Sequence, residues 1–156
     1  MVLALEIVAE SLSARRELVT PDFGQDPRFD FSWWHRGSAK SPVSYCRAVD
    51  DGEEVARAKV LPRSGHYRGY TSWTCPHAGV AEIDLIEVRD DLRKSGRRYG
   101  MRVVELIAQH YGQPVVAMSL NATSDPFWHS LGWTAHTHPD DHDPEYSRYR
   151  TLFTSV

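Results

Sequence analysis

Glu82 and Asp84 are two carboxylates one residue apart inside Ala81 to Val88, a run that alternates and β-branches like a buried strand. A charge in a central strand is costly unless something pairs with it or uses it, so each is a candidate general base, Glu82 first and Asp84 second. Under period-two alternation the two share a face with Ile86 and Val88. The competing expectation is a structural ion pair with an arginine of a neighbouring element, Arg57 or Arg47. The strand runs into a charged turn holding Arg93, Lys94, Ser95, Gly96, Arg97 and Arg98, followed by Tyr99 and Gly100. The first N–H groups of a helix lack intrahelical partners and carry the positive end of its dipole, so a helix starting here could bind a phosphate through backbone alone. The arginines would add charge, and Gly96 and Gly100 would let a ligand approach the backbone.

The elements that position these groups follow from periodicity. Val103, Val104, Ile107, Ala108 and Tyr111 fall on one face of a helix from about Tyr99 to Tyr111, ended by Gly112 and Pro114. Val115 to Leu120 is an apolar run typical of a strand buried on both faces. Val88 through the helix to Val115 is therefore a βαβ crossover between parallel strands, expected to be right-handed. Ser124 to Gly132 reads as a short capped helix with Pro126 in its first turn, and Trp133 to Thr137 with Tyr146 to Phe153 as a last strand pair around the acidic turn His138 to Glu145. Upstream, Leu3 to Ala9 is a strand and Ser11 to Leu18 a short helix. Val43 to Val49 and Glu54 to Leu61 form a hairpin around Asp50-Asp51-Gly52-Glu53. Two irregular segments remain. Thr20 to Pro42 carries Phe29, Phe31, Trp33, Trp34 and His35, either as a substrate wall or as a cover over one end of the core. Pro62 to Gly79 carries His66, Tyr67, Arg68, Tyr70, Trp73, Cys75 and His77 and is expected to face the cleft.

With 156 residues and 41% hydrophobic content the chain suits one domain, residues 1–156. A net charge of -3 argues against a broad electrostatic grip on nucleic acid. The opening residues carry acids at Glu6 and Glu10, and no span reaches the roughly 20 apolar residues of a membrane helix, so no membrane association and a cytoplasmic location are expected. Cys46 and Cys75 make neither a disulfide framework nor a metal quartet. His66, Cys75 and His77, and the tail from His136 through His138 and His142, lack regular ligand spacing, and no metal site is assigned.

Strand, basic loop, helix and strand, followed by Asn121-x-x-Ser124-x-x-Phe127-Trp128-x-x-Leu131-Gly132-Trp133, resemble the GNAT superfamily of acyl-CoA-dependent N-acetyltransferases. The resemblance covers Ala81 to Trp133, and the later motif is the more specific part. It implies an α/β fold, a GNAT-like mixed central β-sheet flanked by helices, with splayed central parallel strands. It also implies acetyl-CoA or another acyl-CoA as cofactor, and transfer of the acyl group to the amine of a small molecule or peptide by direct attack on the thioester. The pantetheine arm would lie along the backbone of Ile86, Glu87 and Val88, and the pyrophosphate against Arg93, Ser95, Gly96, Arg97, Arg98, Tyr99 and Gly100. Asn121, Phe127 and Trp128 would complete the cofactor site, and Glu82 matches the position where some members place their base. Two loop registers fit the family's Arg/Gln-x-x-Gly-x-Gly/Ala pattern. Ser95 to Gly100 aligns the helix faces and implies a loop two residues longer than usual; Arg93 to Arg98 keeps the arginine and the first glycine. Trp128 replaces the tyrosine that commonly protonates the leaving thiolate, and indole has no accessible acid–base chemistry. That leaves His129, Ser130, Tyr67, Tyr70 or unassisted departure. Two other functions fit the same residues: action on nucleic acid, either charged tRNA or a base, and non-catalytic acyl-CoA sensing. The family's dimerisation leaves a homodimer open.

Overall fold

The structure is a computed structural model that describes residues 2–12, 19, 21–30, 34, 42–76, 79–112, 114–142 and 149–155. Most of the helix expected over Ser11 to Leu18 lies outside the described residues, as do Phe31, Trp33, His35, His77 and Tyr146. The described elements are β1 (Ala4–Ser11), β2 (Val43–Asp50), β3 (Glu53–Leu61), β4 (Ala81–Val88), α1 (Tyr99–Tyr111), β5 (Val115–Met118), α2 (Asp125–Ser130), β6 (Thr134–His136) and β7 (Leu152–Thr154). Their strands form one mixed sheet in the order β1-β2-β3-β4-β5-β7-β6. β4 and β5 run parallel, joined through α1, and the other neighbours are antiparallel. Asp51 and Gly52 turn the β2–β3 hairpin with φ of 56° and 81°, the left-handed conformation that a two-residue hairpin loop requires. β5 is shorter than the expected Val115 to Leu120: its parallel pairing with β4 ends at Ala117, and beyond Met118 the bond from Ser119 N–H to Thr151 O (2.9 Å) continues the register with β7.

One face of the sheet is covered by α1. Val103, Val104 and Ile107 are buried against Ala48, Ala56, Ala58, Ala81 and Ala117, whose small side chains let the helix lie close to the strands. Each of these apolar helix side chains contributes about 1.5–3 kcal/mol by leaving water.

The opposite face is covered by residues of the connections between strands, among them Trp34, which is helical. Phe23 and Trp34 pack with Val43, Tyr45 and Leu61, while Tyr70 packs with Val80, Val116, Met118 and Leu152. Of the aromatic residues in the first irregular segment, the described Phe23 and Trp34 thereby pack against the sheet. Phe23 and Phe29 sandwich the fully buried Arg57 guanidinium at 4.8 and 4.1 Å, and its charge is matched by Glu54 on the same strand. Described parts of that segment therefore cover the core.

Candidate active site

β4 and β5 are paired only at Ala81/Val115, Glu82/Val116 and Ile83/Ala117, and then part. On the β3 side Val60 pairs with Ile83 but Lys59 with Leu85, so Asp84 is an extra residue, a β-bulge. This one-residue slip corrects the expected alternation. Ala81 and Ile83 face α1 before the bulge and Ile86 and Val88 face it afterwards, while Leu85 packs in the cluster on the other face. Glu82 therefore does not share a face with Ile86 and Val88. Past the bulge, Arg89 N–H donates to Val55 O on β3 (2.9 Å), so by alternation the backbone groups of Ile86 and Val88 point away from β3 into the opening. Those of Glu87 point toward β3.

The opening widens into a cleft of about 890 Å³. Of the residues singled out in the sequence, Ile86, Glu87, Val88, Arg93, Arg98, Tyr99, Gly100, Asn121, Phe127 and Trp128 line it. Ser95, Gly96 and Arg97 do not. Ser95 Oγ donates to Leu92 O (2.8 Å), Gly96 makes a left-handed turn at φ 74°, and Arg97 Nη1 donates to the Tyr99 phenol oxygen (3.1 Å). The internal ladder of α1 opens with Arg102 N–H to Arg98 O (3.1 Å), which leaves the N–H groups of Tyr99, Gly100 and Met101 at the cleft without helical acceptors. Arg93 reaches the cleft from the preceding turn and donates Nε–H to Val88 O (3.0 Å).

Gly100 has a different role from the one its position suggested. A Cβ there would lie 2.7 Å from Phe127 Cε2 and 3.6 Å from Val88 Cγ2, so the space belongs to the Phe127 ring. Gly100→Ala is expected to force that ring outward and destabilise the protein by about 1–3 kcal/mol, read from the urea midpoint. An unchanged midpoint would show that Phe127 moves freely.

The two carboxylates have separate fates. Asp84 takes Lys59 Nζ at 3.0 Å and Arg150 Nη1 at 2.9 Å, rather than Arg57 or Arg47. Arg57 pairs with Glu54, and Arg47 with Glu6 and Glu54. Arg150 also donates Nε–H to Ser119 O (3.2 Å) and so ties β4 to the end of β5 across the opening. Burial pushes the Asp84 carboxyl upward, but Lys59 and Arg150 outweigh it and hold the group below the ordinary value of 3.8. Because the folded value is depressed, this stabilisation is fully present above about pH 3.8 and is lost as pH falls through the folded value. Asp84→Asn is expected to flatten the drop in urea midpoint between about pH 6 and about pH 3 relative to the wild type. Asp26, which its hydrogen bond to Arg28 holds at about 2, titrates equally in both proteins and cancels from the comparison.

Glu82 is fully buried on the face away from α1 and accepts a hydrogen bond from Ser64 Oγ. His66 Nδ1 lies 3.0 Å from its Oε2 and 3.2 Å from its Oε1, while the His66 side chain is 62% exposed. The sequence places His66 only near the cleft and in an irregular metal pattern. Its link to Glu82 arises because the β3–β4 connection folds back over β4, with Ser64 N–H on Val80 O (3.0 Å).

The expected acid candidates are also distributed. Tyr70 is buried and donates to Arg150 O, Tyr67 packs edge-on against Trp73, and His129 meets Phe153 edge-on (5.0 Å). Ser130 lines the cleft and donates Oγ–H to Phe127 O (2.6 Å). Asn121 Oδ1 accepts from Thr123 and Ser124 N–H (2.9 and 3.2 Å) and so shapes the turn into α2. Trp128 is buried between Phe127, Trp133 and Phe153. In the tail, His136 sits between Ser72 Oγ (2.9 Å) and Thr154 Oγ1 (3.0 Å), and His138 stacks on Tyr149 (3.8 Å). Among the described residues no three His, Cys, Asp or Glu side chains gather as a metal site. Asp30, Leu92, Met101 and Thr123 line the cleft without having been singled out. Met101 was implied by the helix start, whereas Asp30 arrives through long-range packing.

No protein-family model matches the chain, and no curated protein matches it in sequence. Among solved structures it is similar to the Bacillus subtilis N-acetyltransferase YlbP in complex with coenzyme A, at 15% identity over 75% of this chain and 70% of that one, with a TM-score of 0.50. An acetyltransferase from Thermus thermophilus gives 19% identity over 72% and 62%, TM-score 0.47, and the GNAT domain of S. lividans PAT gives 19% over 72% and 60%, TM-score 0.46. The matched regions span less than two thirds of those last two chains. In its sheet order, in the parting of β4 from β5 beside the start of α1, and in its likeness to YlbP, the chain has the fold of the GNAT superfamily.

Proposed function

We propose that this chain transfers an acetyl or similar acyl group from acyl-CoA to the amine of a small molecule or peptide. The observation that carries the reading is one continuous cleft, which joins the start of α1 to the stretch of β4 at Ile86, Glu87 and Val88 that has parted from β5. The residues suit such a cofactor. Three helix-start N–H groups with Arg93 and Arg98 would hold the diphosphate. The backbone of Ile86 and Val88 would pair with the pantetheine amides as a further strand does, with Val88 O shared with Arg93.

Acyl-CoA supplies a thioester carbonyl already activated toward nitrogen. The protein's part is to orient it, to present a β4 N–H to the carbonyl oxygen, to exclude water and to remove a proton from the amine. Glu82 is the carboxylate of β4 left for a part in that last task, through the groups that contact it. Asp84 is committed to Lys59 and Arg150 and serves to position the strands.

Calorimetric titration with acetyl-CoA, CoA and dephospho-CoA tests the reading. Micromolar binding of the first two is expected, and absence of binding at millimolar ligand would remove it. A second reading, non-catalytic acyl-CoA sensing, is favoured by Trp128, whose indole stands where the family's tyrosine acid is expected and has no proton to give at neutral pH. Tight acetyl-CoA binding with no CoA release to any amine would favour it.

A further inference from the structure

We infer that His66, acting on the acceptor amine through Nε2, is the group that removes its proton, and that Glu82 is a positioning residue acting through His66. The inference rests on the acyltransferase reading above and names a residue for it.

Glu82 cannot touch an acceptor. Its side chain has no exposed surface, and its oxygens are taken by the Ser64 hydroxyl and His66 Nδ1. A carboxylate offers only acceptors, so the contact at 3.0 Å places the imidazole proton on Nδ1 and leaves Nε2 with a lone pair. The two nitrogens lie on opposite sides of the ring. With Nδ1 turned inward to a buried partner and the side chain 62% exposed, Nε2 faces outward. The His66 backbone N–H donates to Ser64 Oγ (3.2 Å), so Ser64 fixes both members of the dyad.

The location fits the task. β4 runs from Val88, beside the anion cradle, back to the bulge at Asp84, about 13 Å at the usual strand rise. An arm held along that edge delivers its thioester end to where β4 and β5 converge. Glu82 lies in the short stretch where β4 and β5 are still paired, just before the bulge, and its side chain is on the face away from α1. Neither Glu82 nor His66 lines the cleft, so in this inference the acceptor would reach the thioester from the face on which His66 stands. The acceptor arrives as an ammonium ion. One proton passes to Nε2 and then to solvent, the nitrogen–carbon bond forms as the carbon–sulfur bond breaks, and the second nitrogen proton ends on the departing sulfur. The balance is one amide, one thiol and one proton released.

The test uses the full chain with acetyl-CoA and a panel of simple primary amines (butylamine, ethanolamine, glycinamide), CoA release being followed by thiol detection. For His66→Gln, kcat is expected to fall about 100-fold, the low end for general-base loss, with the acetyl-CoA KM within about twofold. In His66→Ala, added imidazole is expected to recover about tenfold or more of the lost rate, which a structural defect would not allow. Glu82→Gln is expected to lower kcat with unchanged acetyl-CoA affinity, to gain nothing from imidazole, and to lose the Nδ1–H tautomer seen by nitrogen-15 NMR in the wild type. Wild-type kcat in His66→Gln, or loss of turnover in Glu82→Gln alone, would overturn the inference while leaving the acyltransferase reading intact. Absence of acetyl-CoA binding by the wild type would overturn both.

Discussion

Glu87→Ala is expected to destabilise the protein by about 3–5 kcal/mol, because two hydrogen bonds to a buried charge, each worth about 1.5–3 kcal/mol, are removed together. Glu87 is 4% exposed. Its Oε1 accepts Asp30 N–H at 2.7 Å and its Oε2 accepts the Trp34 indole N–H at 2.8 Å, with Arg93 Nη2 at 3.5 Å. Those contacts attach described parts of the first irregular segment to the sheet, and Asp30 forms part of the cleft wall. Truncation leaves a backbone N–H and an indole N–H near the core with no acceptor. Urea denaturation gives the loss in stability, and hydrogen exchange at Asp30 shows whether its amide has come free. Glu87→Gln keeps the volume and one carbonyl oxygen but turns an amide N–H₂ toward a second donor, so an intermediate loss is expected. A loss below about 1 kcal/mol for the alanine variant would show that the segment is attached by other contacts.

Arg98→Glu is expected to weaken acetyl-CoA binding by at least about 100-fold, or roughly 2.8 kcal/mol at 1.4 kcal/mol per factor of ten. Arg98 is the N-cap of α1 at φ 52° and lines the cleft beside the free N–H groups of Tyr99, Gly100 and Met101. Reversal there replaces attraction by repulsion where the diphosphate would sit. The fold should tolerate it, since an acidic residue at a helix N-terminus is favoured by the dipole and the left-handed conformation strains both side chains alike. Arg97→Glu is the control. Arg97 does not line the cleft, and its expected effect is below about threefold and diminishes with added salt, as for a distant surface charge. Equal effects of the two reversals, measured by calorimetry, would mean that the anion site is not at the start of α1.

Much of the scaffold was legible from local pattern. The 3.6-residue spacing of Val103, Val104 and Ile107 between Tyr99 and Gly112 defined α1, and the apolar run from Val115 with the intervening helix defined a parallel pair, because these periodicities are set by the geometry of each element alone. The turn at Asp51-Gly52 was legible for the same reason: few residues accept a left-handed backbone. The unpaired N–H groups at the start of α1 were readable too, since they follow from any helix terminus.

Tertiary structure decided the rest. Alternation assigned Glu82 to the face of Ile86 and Val88, but the bulge at Asp84 reverses the alternation, and a bulge is fixed by how β4 meets β3 rather than by β4's own residues. Gly100 reads in the sequence as a space for ligand, but the Phe127 ring fills it. The partners of the charged groups, Arg150 on Asp84, Trp34 on Glu87 and His66 on Glu82, come from 66, 53 and 16 residues away in the chain. No spacing rule links such residues. They meet because burying a carboxylate requires a donor, and which donor is within reach depends on how the irregular segments fold over the sheet.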